Sequence, residues 1–335
     1  MTSSNNKFPK NHSITRYTFV YLLTIIIIGL GLYIAYIQGW LNLLLVNNNN
    51  NLHNVDKNEI TENVGEDKFG IKMIYPTNTL GQTWYAKWDD GTSRTLGTNQ
   101  KDPLDNSFRL GRAGAPKVTI DGKGIAIVTG KSPRMHIFGK WTNVEITLYV
   151  MYSFPNQLKS LSIHGRSNHH KDCGFGGYAV TFGGINNEGS WIRKEPVHGI
   201  YSDRIGNVDY SLPVNKWIGL KAIVKNIDGG KKVSIEGYVD DGTGMVNDSG
   251  SNRVNVSSGG GQWKKIVQAI DDGKWGGMGE DVQDKQRMKE CTGKGDNIPP
   301  DIYKPFTKTT EAIYIRTNDA QNVKYKWFSV REIKA

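Results

Sequence analysis

Apolar and polar residues alternate in short runs over most of this chain. The clearest runs are Val144–Met151 (VEITLYVM), Ser160–Arg166 (SLSIHGR), Tyr178–Phe182 (YAVTF) and Trp191–Glu195 (WIRKE). Trp217–Lys225 (WIGLKAIVK), Lys232–Val239 (KVSIEGYV), Ala312–Arg316 (AIYIR) and Tyr325–Ile333 (YKWFSVREI) continue the pattern. A period of two is that of a half-buried strand. Lys117–Ile120 and Gly124–Thr129 form another such pair about an Asp121-Gly122 turn. Gly, Asn and Asp separate the runs, so the text predicts an all-β sandwich or barrel. Residues Gly242–Gly261 read as a long loop, and Lys264–Asp271 as a short helix or one more strand.

One segment breaks the alternation. No charge occurs from Tyr17 to Val46, and about 20 apolar residues suffice to cross a bilayer as a helix. Lys7, Lys10 and Arg16 precede the segment, and the first charge after it is Asp56. The positive-inside rule then places the N-terminus in the cytoplasm. A cleaved signal peptide would show a shorter apolar region and a small-residue cleavage site; neither is evident. The expected organisation is a cytoplasmic tail (1–16), a transmembrane anchor in the lipid bilayer (17–46), a flexible stalk opening with Asn47–Asn51 (47–66) and an extracytoplasmic domain (67–335).

Charge narrows the partners. Forty-two Lys and Arg against 32 Asp and Glu leave a net charge of +10. The cations are dispersed, without the basic run of a nucleic-acid arm, so no nucleic-acid partner is expected. A basic surface also suits acidic polysaccharide. The two cysteines, Cys173 and Cys291, are expected to pair in an oxidising exterior.

Alternation sorts the faces. Leu161 and Ile163 point to the core, with Ser162, His164 and Arg166 opposite. Trp191, Arg193 and Glu195 share a face, as do Glu236 and Tyr238, and Tyr314 and Arg316. If these faces belong to one sheet, they form a glycan-binding surface, with Asn168 and Tyr178 as further candidate ligand contacts. The alternative is an ordinary solvated sheet face. Three Asp-Asp-Gly turns occur, and Asp240 and Asp241 are the candidates for a structural calcium ion, which takes oxygen ligands. No other cofactor is expected.

Several strings in order, TWYAKWDDGTSRT, IDGKG, SPRMHI, WTNVEITLY, GRSNHH, WIRKEPVHG, NKWIGLKAIV, QWKKI and NVKYKWFSVREI, run through Thr83–Ile333. Through them the chain resembles a group of extracytoplasmic archaeal and bacterial proteins with a concanavalin A-like lectin/glucanase domain. The resemblance implies a jelly-roll sandwich of two antiparallel sheets with a concave face, and implies no single activity. The leading expectation is a membrane-anchored, cell-surface carbohydrate-binding or adhesive module. The alternative is a polysaccharide lyase acting on a uronate polymer. Elimination needs a cation at the sugar carboxylate, a base and an acid, for which His169, His198 and Tyr201 beside Arg166 and Arg193 are candidates. Glycoside hydrolysis is a second alternative, but it needs two flanking carboxyl groups. The nearest string, Glu236 with Asp240 and Asp241, places its aspartates in a turn.

Overall fold

The computed structural model describes residues 64–335 apart from 112–113, 155–157, 172, 184–188, 211, 242–262, 276–285, 288 and 292–302. The expected anchor, the cytoplasmic tail, most of the stalk and the Gly242–Gly261 loop lie outside the described residues.

The strands, in chain order, are β1 (Thr83–Tyr85), β2 (Arg94–Leu96), β3 (Lys101–Asp102), β4 (Asp105–Leu110), β5 (Lys117–Ile120), β6 (Ala126–Gly130), β7 (Arg134–Trp141), β8 (Val144–Met151) and β9 (Ser160–Ser167). They continue with β10 (Gly177–Gly183), β11 (Ser190–Glu195), β12 (Ile205–Val208), β13 (Ile218–Ile227), β14 (Lys232–Asp240), β15 (Lys264–Asp271), β16 (Thr310–Asn318) and β17 (Ala320–Glu332). Every pairing between them is antiparallel. A back sheet runs β15-β14-β13-β8-β17-β6-β5-β2, with β1 also on β17; a front sheet runs β12-β11-β10-β9-β16-β7-β4-β3. This is the two-sheet sandwich that the alternation and the resemblance imply. The helix-or-strand ambiguity at Lys264–Asp271 resolves as strand β15, paired along β14.

Between the sheets lies one continuous core. The front sheet contributes Leu161 and Ile163 from β9, Val180 and Phe182 from β10, and Ile313 and Ile315 from β16. The back sheet answers with Ile146 and Leu148 from β8, and Leu220, Ala222 and Val224 from β13. Each fully buried Val, Leu, Ile or Phe contributes roughly 1.5–3 kcal/mol by leaving water. Two inward polar groups are matched across this layer: Lys194 of β11 lies 2.8 Å from Asp271 of β15, both side chains fully buried. Tyr178 Oη donates to the same carboxylate at 2.6 Å.

The outer face of the back sheet is closed by its own N-terminal segment. Glu66 bridges to Lys72, and Thr77 to Ile333. Glu145 of β8 sits beneath this strap. Its carboxylate accepts from Lys221 Nζ at 2.8 Å, from Arg331 Nη2 at 2.6 Å, and from the amides of Ile74 and Tyr75 at 3.0 and 3.1 Å. Burial alone would raise this carboxyl group; Lys221 and Arg331 outweigh burial and hold it below the ordinary carboxylate range.

Cys173 and Cys291 are disulfide-bonded across 118 positions. The bond anchors the β9–β10 loop to helical residues ending at Cys291.

Two stability outcomes follow. Glu145→Gln leaves two buried cations without their counter-charge and costs about 3–5 kcal/mol in denaturant unfolding; a loss under about 0.5 kcal/mol, the surface range, contradicts the role given to this carboxylate. Reducing the disulfide lowers stability by about 4–5 kcal/mol in the chain-entropy model, and limited proteolysis should then cut near residue 170 first; coincident unfolding curves for the oxidised and reduced protein would refute this.

Candidate functional site

Strand pairing builds the site as rows across the outer face of the front sheet. Arg134 of β7 pairs with Arg316 of β16, and Arg316 pairs with Ser162 of β9. Ser162 pairs with Thr181 of β10, which pairs with Trp191 of β11. The next row reads His136, Tyr314, His164, Ala179, Arg193. A third begins with Gly177 opposite Glu195. Strand β10 explains the hollow. Its inward positions are Tyr178, Val180 and Phe182, and its outward ones are Gly177, Ala179, Thr181 and Gly183. Small residues down the middle leave room into which the long side chains of β9, β11 and β16 lean.

At one end of the rows the hollow is a cleft of about 480 Å³, lined by Ser160, Ser162, Asn318 and Trp191 among others. Five cations reach its wall, Lys131, Lys159, Arg193, Arg204 and Arg316, against one carboxylate, Asp319. The cations are braced. Arg193 lies 4.9 Å from the Trp191 ring and 3.6 Å from the Tyr201 ring, and Arg204 lies 4.4 Å from Trp191. Arg316 Nε donates to Ser132 Oγ at 3.1 Å and Asn318 Oδ1 at 2.9 Å.

At the other end stands a packed group of rings. His164 stacks on Tyr314 at 4.0 Å, and His136 stacks on the same tyrosine at 5.2 Å. His169, from the β9–β10 loop, lies 3.9 Å from His198 and 5.0 Å from Tyr314 between ring centroids. Glu195 is fully buried beside them. Its carboxylate accepts from the Gly199 amide at 2.9 Å and from Tyr314 Oη at 3.4 Å. Burial raises the Glu195 carboxyl, opposed by the Gly199 amide and by Arg193, Arg316 and Arg134. Burial also keeps the imidazoles neutral. His136 is lowered to about 3, with His170 and Arg134 adding to the effect, and His169 to about 2, with His198 and Arg134 adding to it. His164 is lowered well below its ordinary value, again chiefly by burial. Several polar atoms here are buried without a hydrogen-bond partner in the protein: Arg134 Nε, His164 Nε2, His169 Nε2, Trp191 Nε1 and Arg193 Nε.

Of the residues expected from the sequence, His164, Arg193, Glu195 and Arg316 lie together on this face, and His169, His198 and Tyr201 border it on loops. The others are elsewhere. Glu236 and Tyr238 belong to β14 of the back sheet, so the polar faces do not form a single surface. Tyr75 Oη donates to Glu236 at 3.1 Å, and Tyr238 Oη donates to it as well. Tyr178 points inward, its hydroxyl held by Asp271 and by the Phe306 amide at 2.8 Å. Arg166 leaves the period-two pattern: it has φ 55°, and the β9–β16 register shifts around it. Its guanidinium therefore binds Thr142 O at 2.7 Å, Asn143 Oδ1 at 3.1 Å and Phe306 O. Asn168 Oδ1 accepts from the Glu311 amide at 3.1 Å, a loop-fixing contact. Asp240 accepts from Tyr149 Oη at 2.8 Å. Among the described residues, the one group of three ligating His, Cys, Asp or Glu side chains is His169, Glu195 and His198.

The sequence reading missed Arg134 and His136, although they alternate with Met135 and Ile137 in RMHI. It also missed the signal in β10, where every second residue of GYAVTFG is small.

No family model matches this chain, and no curated protein matches it. Among solved structures, the fold is similar to the carbohydrate-binding module CBM66 from Bacillus subtilis, at 10% identity and TM-score 0.32, covering 72% of this chain and 92% of that one. It is similar to a Bacillus subtilis protein of unknown function with a galectin-like fold, at 10% identity and TM-score 0.35, covering 78% and 100%. Lectin II from Ulex europaeus gives 9% identity and TM-score 0.35, covering 72% and 98%. At these scores the likeness assigns neither family nor ligand.

The neutral His136 has a pH consequence. Its folded pKa lies below its unfolded value of about 6.5, so the unfolded chain binds more protons between the two. Stability therefore falls as pH drops below about 6.5, by about 1.4 kcal/mol per pH unit for such a ring. Thermal melts between pH 7 and pH 5 should show the slope, and His136→Phe should make it shallower by about that amount, the share of His164 and His169 remaining. An unaltered slope in that variant would show that the ring does not titrate on unfolding as described.

Proposed function

We propose that the domain is a carbohydrate-binding module for an acidic saccharide chain, held outside the cell by the apolar segment 17–46. The cleft carries the reading: five cations and a tryptophan line it against one carboxylate. Guanidinium groups match carboxylates with paired, charge-assisted hydrogen bonds. The Trp191 ring and the hydroxyls of Ser160 and Ser162 suit the apolar and polar faces of a sugar. The disulfide supports an oxidising compartment.

Turnover is less well served by the same geometry. Hydrolysis needs two carboxyl groups flanking the bond, and the cleft lining offers Asp319 alone. Tyr314 and His164, the closest Tyr–His ring pair among the described residues, are 0% and 1% exposed, and the Tyr201 ring lies against Arg193.

The test is calorimetric titration with uronate oligosaccharides and neutral glucans, alongside an ultraviolet assay for unsaturated products. Uronates should bind, neutral glucans should not, and salt should weaken binding. Arg316→Ala should reduce affinity about 10-fold or more, the worth of a hydrogen bond to a charged group. Equal binding of neutral and acidic chains, or an unaffected Arg316→Ala, overturns the reading. Accumulating unsaturated ends would instead establish a lyase.

A further inference from the structure

We propose that His169, Glu195 and His198 form a binding site for a divalent transition-metal ion of the zinc type. Each offers one ligand atom, and the three atoms lie within 4.8 Å of one another. His169 Nε2 stands 3.8 Å from Glu195 Oε1. That is too far for a hydrogen bond, and the nitrogen is buried without a partner in the protein. Leaving such an atom unmet is unfavourable. An ion about 2.0–2.1 Å from each ligand would satisfy it, and tetrahedral ligands at that radius stand roughly 3.4 Å apart. The gap closes with side-chain shifts smaller than a bond length.

The surroundings hold these residues in place. The His169 amide donates to Ser167 Oγ at 3.0 Å. The His198 amide donates to Gly174 O at 2.9 Å, and Arg287 Nε donates to His198 O at 3.1 Å. The disulfide fixes Cys173 in the same loop as Gly174. A side chain at position 176 would strike Glu195, since a Cβ there would meet Oε2 at 1.8 Å. Glycine at 176 is thus what admits the carboxylate.

The donor set selects the metal. Calcium and magnesium take oxygen ligands; two imidazoles and a carboxylate suit zinc and its neighbours. Three protein ligands leave a four-coordinate ion one position for water or a ligand oxygen. Arg134, Arg193 and Arg316 act on Glu195 electrostatically, so the ion binds less tightly than in a closed structural zinc site. The inference does not depend on the saccharide reading.

The full-length chain, stripped with a chelator, is titrated with Co²⁺ and then Zn²⁺. One equivalent of Co²⁺ should give the visible absorption of a four-coordinate ion, and Zn²⁺ should displace it. His198→Asn should abolish the signal, whereas His170→Asn, at a neighbouring ring outside the group, should leave it intact. X-ray absorption of the zinc-loaded wild-type chain needs no variant, and should show nitrogen and oxygen neighbours at about 2.0–2.1 Å with imidazole scattering. No saturable Co²⁺ signal, a signal that survives in His198→Asn, or a zinc shell lacking imidazole overturns the proposal.

Discussion

A strand shows its two faces in strict alternation, and that constraint governs this molecule more than any single contact. On the front sheet it sends Met135, Ile137, Ile163, Val180, Ile192, Ile313 and Ile315 into the core. The same constraint presents Arg134, His136, His164, Arg193, Tyr314 and Arg316 to the other side. The core cannot form without the polar face forming too. Because neighbouring strands are in register, the outward residues fall into rows, and the rows set which side chains touch.

Both sheets bury charge on their outer faces, with opposite results. On the back sheet, Glu145 meets two cations and two backbone amides under the N-terminal strap. Every strong donor and acceptor there has a counterpart. On the front sheet, three arginines surround one buried glutamate, and several nitrogens have no protein partner. A fold tolerates unmet polar groups where something else meets them. The contrast separates a polar cluster satisfied within the protein from one that leaves donors open, at burial that is otherwise alike.

The alternation made most strands and the inward-outward sorting legible: Val144–Met151 and Lys117–Ile120 appear with the expected bounds. Which strands are neighbours was not legible. Glu236 and Tyr238 read as outward, correctly, but nothing local says that β14 belongs to the back sheet. Arg166 was misassigned because a positive φ interrupts the count of two. Tyr178 was read as a ligand contact, although Val180 and Phe182, its inward companions, place it in the core. Glu195 and His198 stand close together in EPVH, but His169 comes from the β9–β10 loop, and spacing alone does not bring it to them. The cysteine pairing followed from a count of two and the expectation of an oxidising exterior.

The covalent loop from Cys173 to Cys291 encloses strands β10 to β15 and no others. Those six strands form one end of both sheets: β12-β11-β10 in front and β15-β14-β13 behind. The sandwich thus consists of a stapled module laid against a frame made from the earlier and final strands, joined along β10–β9 and β13–β8. His164, Tyr314, Arg134 and Arg316 belong to the frame, while Arg193, Glu195 and His198 belong to the module. A ligand touching both groups acts as a clasp across that seam. Such cooperative blocks can part without global unfolding, so slow amide exchange along β9–β10 and β8–β13 would report on occupancy of a site on the opposite surface of the front sheet.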